Sequence, residues 1–112
     1  MKLALITLDA SWIERYIYSG ETWTEVFDKL NNIQDLNCIV NQEYKYGKKK
    51  FRNDLDKFDI IVNKYNSNIL TIEDVKLIDF KLTLGTLKCE ACAETEEECV
   101  KLIEKYKDVQ IL

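Results

Sequence analysis

Histidine and proline are both absent from the 112 residues, and only three glycines occur. Without histidine there is no Ser-His or Cys-His nucleophile pair, no imidazole general base and no histidine-ligated metal site. Without proline there is no cis-proline turn and none of the rigid turns that residue provides. Long apolar runs are missing too. LALI near the start and IIV at 60–62 fall far short of the ~20 residues that span a bilayer. Lys2 precedes an apolar stretch, but Thr7 and Asp9 cut it short and no small-residue cleavage site follows, so no secretory signal is expected. The reading is a cytoplasmic protein, in which disulfides are not the default state of the four cysteines.

What is present suits one globular domain over residues 1–112. A chain of this length buries roughly two-thirds of the surface exposed when unfolded, and two Trp, six Tyr and four Phe supply bulky core material. Twenty acidic residues against sixteen basic ones make the protein acidic, with a net charge of −4. The abundance of Lys, Asn, Ile and Tyr fits an A/T-rich genome, as in some archaea, clostridia and their viruses.

Periodicity and capping signals predict the elements. KLALITL, ended by Asp9, reads as a buried strand at about 2–8. Ser11 and Glu14 form a capping-box signature, with Trp12, Ile13, Tyr16 and Ile17 on one face of a short helix ended by Gly20. Thr22 opens a second box, followed by Trp23, Val26, Phe27, Leu30 and Ile33 at helical spacing. From Leu36 the period changes to two, and Gly47 sits where a hairpin turns. FDIIVN at 58–63 reads as a buried strand, and Thr71 with Asp74 caps a short helix through about Leu77. Alternation from Ile78 to Leu84 predicts a half-buried strand that Gly85 ends. Thr95 to Glu98 is a further capping box, opening a helix striped by Cys99, Leu102, Ile103 and Tyr106. Residues 108–112 read as a final strand. Strands alternating with helices predict an α/β (or α+β) fold: a mixed, partly parallel sheet of about five strands packed with three to four helices.

Three of the cysteines lie in KCEACAETEEEC, residues 88–99. A thioredoxin-like site would open an early helix and would use a cis-proline, and the neighbouring Glu90 and Glu94 disfavour a thiolate, so an active site of that type is not expected. Cys89 and Cys92 have the spacing of a zinc knuckle, and Cys38 and Cys99 would complete a structural zinc tetrahedron. The competing readings are a disulfide within the cluster or plain buried and loop thiols, with Cys99 on an apolar helical stripe and Cys38 alternating with Val40. The expectation is no cofactor and no metal.

Tyr44, Lys45, Tyr46, Lys48, Lys49, Lys50, Phe51 and Arg52 interleave cations with rings, a pattern that suits single-stranded nucleic acid. Set against it are the acids Asp54, Asp56 and Asp59 that follow at once, and lysines also keep a bare hairpin soluble. This patch and the acidic stretch from Glu90 to Glu98 together make the charge bipolar, which suits docking to a protein partner or a homodimer.

LDAS after the first strand resembles the opening of PIN-type nucleases over about ten residues, where an aspartate at the strand end holds a divalent metal. That resemblance implies a metal-dependent site at Asp9, the best catalytic candidate here. Asp59 and Asp79 lie at the starts of their expected strands, at the opposite sheet edge. In a parallel sheet, ligands bind outside the carboxyl ends of the strands, which here would bring Asp9, Ser11, Asn63, Lys64 and Thr86 around one crevice. With no complete catalytic set, the expected function is a small binding or interaction protein. An accessory protein of a virus or mobile element acting on a host protein fits that size and composition. The alternatives are a ligand-binding or metal-dependent enzyme domain at Asp9/Ser11 and single-stranded nucleic-acid binding through residues 44–52.

Overall fold

The computed structural model describes residues 1–34, 52–82 and 85–112. In chain order its elements are β1 (Lys2–Asp9), β2 (Ile13–Gly20), α1 (Trp23–Gln34), α2 (Arg52–Asn66), α3 (Ile72–Lys76), β3 (Asp79–Leu82), β4 (Gly85–Ala93) and α4 (Glu96–Lys105). The four strands form one sheet in the order β2-β1-β4-β3, with every neighbour antiparallel.

β1 explains the layering. Leu3, Ala4, Leu5 and Ile6 are fully buried, and successive strand residues face opposite ways, so this strand needs cover on both sides. Ala4, Ile6 and Leu8 pack with Trp23, Val26, Phe27 and Leu30 of α1, Phe58 and Ile61 of α2 and Val75 of α3. On the other face, Leu3 and Leu5 pack with Ile17, Ala93, Cys99 and Leu102, so among the described helices α4 covers that side. Among the described residues, the sheet lies between one helix and three.

Several expectations need correction. The predicted partly parallel sheet of about five strands is an antiparallel sheet of four among the described residues. An apolar run such as LALI usually marks a parallel strand because such strands are covered on both faces; here an antiparallel strand receives the same cover. Residues 108–112 contribute a single parallel bridge, Ile17 to Ile111. Its hydrogen bonds run from Ile17 N to Gln110 O at 2.9 Å and from Leu112 N to Ile17 O at 2.8 Å. The helix expected after Ser11 is β2: Ala10, Ser11 and Trp12 make the turn, and Asp9 pairs with Ile13. Ile, Tyr and Trp favour the pleated surface, and pairing along the whole of β1 outweighs the local capping signal. The strand expected at 58–63 lies inside α2; a short β-branched run fits either state, and Phe58, Ile61 and the part-buried Tyr65 recur at helical spacing. Gly85 begins β4 instead of ending a strand. The expected hairpin around Gly47 lies outside the described residues.

The other caps form as expected. Thr22 Oγ1 accepts from Glu25 N at 3.1 Å, and reciprocal capping boxes close the starts of α3 at Thr71 and α4 at Thr95. Asp74, the buried charged residue of the described core, accepts from Lys64 Nζ at 2.6 Å and from Thr71 N and Oγ1, each at 2.9 Å. Burial pushes its carboxyl up, but the Lys64 and Thr71 hydrogen bonds prevail and hold it below its ordinary value.

Two outcomes follow. The stability Asp74 contributes is complete above the ordinary carboxylate pKa of ~3.9 and is lost as pH falls through its lower folded value. Asp74→Asn should therefore cost about 1 kcal/mol in urea unfolding at neutral pH, kept small by screening at the part-exposed Lys64, with the deficit shrinking below about pH 4. Gly85, at φ +158°, admits no side chain, because an added Cβ would lie 2.1 Å from Asp9 O and 2.7 Å from Ala10 Cα. Gly85→Ala should destabilise by about 2 kcal/mol or more, since backbone rather than a pliable side chain must give way.

Candidate functional site

α4 has ten residues and β4 has nine. A helix rises 1.5 Å per residue and a strand about 3.3 Å, so α4 reaches roughly half as far as the strand beneath it. The uncovered half of that sheet face is polar. Beyond the buried Leu3 and Leu5, alternation along β1 brings Thr7 and Asp9 to the same face. Thr7 pairs with Arg15 and Lys88, Asp9 with Ile13 and Thr86, and across β4 Lys88 pairs with Asp79 and Thr86 with Lys81. Asp9, Ile13, Asp79, Lys81, Thr86 and Lys88 are all exposed. Ile13, 70 % exposed, and Trp12, 47 % exposed, rim the face at the β1–β2 turn.

A bulge organises its border. Leu5 pairs with Ala91 and Ile6 with Cys89, so Glu90 is an extra residue without a partner in β1. Glu90 stays on the α4 side, where it takes a forked hydrogen bond from Arg15: Nη2 to Oε2 at 2.8 Å and Nε to Oε1 at 3.2 Å. Thr7 Oγ1 donates to the same Oε1. The Arg15 and Thr7 hydrogen bonds hold the Glu90 carboxyl below its ordinary range, and Glu90 in turn raises Arg15. The Arg15 guanidinium also lies 5.4 Å from the centre of the Tyr106 ring at the end of α4, a cation–π contact. Arg15 thus joins the covered half of the face to the open half.

The bulge also reorganises the cysteines. Residues 88–93 are not a loop feeding a helix but part of β4. In a regular strand, positions three apart face opposite ways. The extra residue turns Cys92 to the same side as Cys89, and both pack against the three-helix core. The Cys89 thiol donates to Ala91 O at 3.4 Å. The neighbouring Cys92 thiol and burial push Cys89 up, while Cys89 holds Cys92 below its usual value against the opposing effect of burial. Cys99 sits in the core beneath α4, on the opposite face of the sheet, with its thiol donating to Met1 O at 3.4 Å. Cys38 lies outside the described residues. Among the described residues, no group of three or more His, Cys, Asp or Glu side chains is placed to hold a metal ion.

No family model, curated protein or solved structure matches this chain.

The remaining candidates separate. Asp9 and Thr86 are paired neighbours at one end of the sheet, and Ser11 follows in the turn. Asn63 and Lys64 are on α2, on the other side of the sheet, with Lys64 bound to Asp74. The crevice expected to gather all five requires parallel neighbours. In this sheet β1 and β4 run oppositely, so their carboxyl ends lie at opposite edges. Asp79 stands level with Lys88 and Thr7, and Asp59 lies within α2. Tyr44, Lys45, Tyr46, Lys48, Lys49, Lys50 and Phe51 lie outside the described residues, and Arg52 starts α2. The Thr7–Arg15–Glu90 cluster was missed because its members are distant in sequence. The one local signal was two cysteines and a glutamate too closely spaced for a regular strand to keep both thiols on one face.

The Arg15–Glu90 pair is part-exposed, with side chains 35 % and 30 % accessible, so solvent screens it. A double-mutant cycle with Arg15→Ala and Glu90→Ala should give a coupling of no more than about 1 kcal/mol at low ionic strength, shrinking as salt rises. A coupling unchanged by salt would show that stacking on Tyr106, not charge, dominates.

Proposed function

We propose that this is a non-enzymatic binding protein that docks a protein partner on the open half of the α4 side of its sheet. The observation that carries this reading is the uncovered β-surface itself, a charged field rimmed by the exposed apolar side chains of Trp12 and Ile13. Its composition selects the class of partner. Arg15, Lys81 and Lys88 are balanced by Asp9, Asp79 and Glu90, and a face carrying equal numbers of each sign does not attract a polyanion. Mixed charges around an apolar rim suit a protein surface of complementary pattern, where charge sets orientation and association rate while apolar burial supplies affinity. A second copy of this chain and a host protein are both partners of that kind. The absence of histidine argues in the same direction, since it withholds the commonest general base.

The test is Ile13→Asp combined with Lys88→Glu, both exposed positions whose replacement leaves the core intact. Affinity capture from the native host and light scattering on the purified chain should both be run. Loss of a partner retained by the wild type, or loss of dimer mass, is the expected result. An unchanged partner set together with unchanged mass would sink the proposal.

A further inference from the structure

The bulge in β4 creates a feature that binding does not use: two half-buried free thiols, successive on one face of one strand. We propose that Cys89 and Cys92 are a reversible dithiol–disulfide couple that exchanges with small-molecule disulfides of the glutathione type. Cys89 is level with Ile6 and Cys92 with Ala4. Those β1 residues are two apart, which sets the two cysteine Cα atoms about 6.6 Å apart by strand spacing, at the upper limit of the ~4.4–6.8 Å that disulfides span, so closing the bond draws the two Cβ atoms together and strains it. In an unbulged strand the same C-x-x-C spacing would put the thiols on opposite faces of the sheet, beyond bridging. Reversibility follows from loop length. Closing so short a segment removes little chain entropy from the unfolded state, so the bond stabilises little and is readily reopened.

The exchange has an order. Cys92 is the less buried of the two, and the neighbouring Cys89 thiol holds it below its usual value. Its thiolate attacks one sulfur of oxidised glutathione, the glutathione S–S bond breaks, and one glutathione thiolate leaves. Cys89 then gives its proton to solvent and attacks the Cys92 sulfur, displacing the second glutathione thiolate as the Cys89–Cys92 bond forms. Two protein thiols are oxidised and one small disulfide is reduced to two thiols. Cys99, 5 % exposed on the opposite face, takes no part.

The experiment equilibrates the full-length chain with oxidised and reduced glutathione over a wide range of ratios. Free thiols are then alkylated, and tandem mass spectrometry assigns the label at each cysteine. The expected result is that Cys89 and Cys92 lose label together, with the loss of two hydrogens, and regain it in excess reduced glutathione, while Cys99 stays labelled. Cys89→Ser should accumulate a glutathione adduct at Cys92, several-fold above any adduct at Cys89 in Cys92→Ser. The wild-type measurement stands without either variant. Independent labelling of the two thiols at every ratio would overturn the couple. So would a persistent glutathione adduct in the wild type, loss of label at Cys99 in step with the pair, or a bond that excess reduced glutathione does not reopen.

Discussion

The rest of this structure depends on a strand that has to be buried on both faces. Leu3, Leu5, Ile6 and Leu8 offer no polar side to solvent, and each large aliphatic side chain contributes roughly 1.5–3 kcal/mol on full burial. β1 must also satisfy its backbone on both edges, because buried N–H and C=O groups without partners are costly. β2 on one edge and β4 on the other do this, each in long antiparallel register. The faces are closed by α1, α2 and α3 on one side and α4 on the other. The asymmetry of that cover among the described residues, three helices against one short one, leaves the open polar half-face. The surface on which a function is proposed is thus a consequence of how the central strand is enclosed.

The bulge at Glu90 is the second organising feature. A single extra residue in β4 shifts the facing of everything beyond it. Ala91 and Ala93 thereby meet the α4 core, and Cys92 turns to the three-helix side beside Cys89. Glu90 is left facing Arg15 and Thr7. Without the bulge, Ala91 and Ala93 would face the three-helix side and Cys92 would face α4. The charge cluster on one face and the thiol pair on the other have one backbone cause.

Legibility in the sequence tracked how local each cause was. The starts of α1, α3 and α4 were readable because a cap acts over three residues: Thr71 with Asp74 and Thr95 with Glu98 are complete in their own segments. The stripe of Cys99 and Leu102 was readable for the same reason. Ser11 and Glu14 carry the same local signature, yet that segment is a strand, because eight residues of pairing with β1 exceed what one cap contributes. The apolar core of α2 misread as a strand because Phe58, Ile60, Ile61 and Val62 satisfy both periods over so short a run.

The residues by themselves determined the burial of β1, the caps of three helices, the apolar stripes of two of them, and the exclusion of histidine-based chemistry. Each of these depends on residue type and on neighbours within about a turn. Only the tertiary structure decided strand direction, the bulge and the placement of Cys89 and Cys92 on one face. It alone also brought Arg15 to Glu90, 75 residues along the chain. The physical reason is that facing and register belong to pairs of strands, and neither strand carries the partner's position in its own sequence.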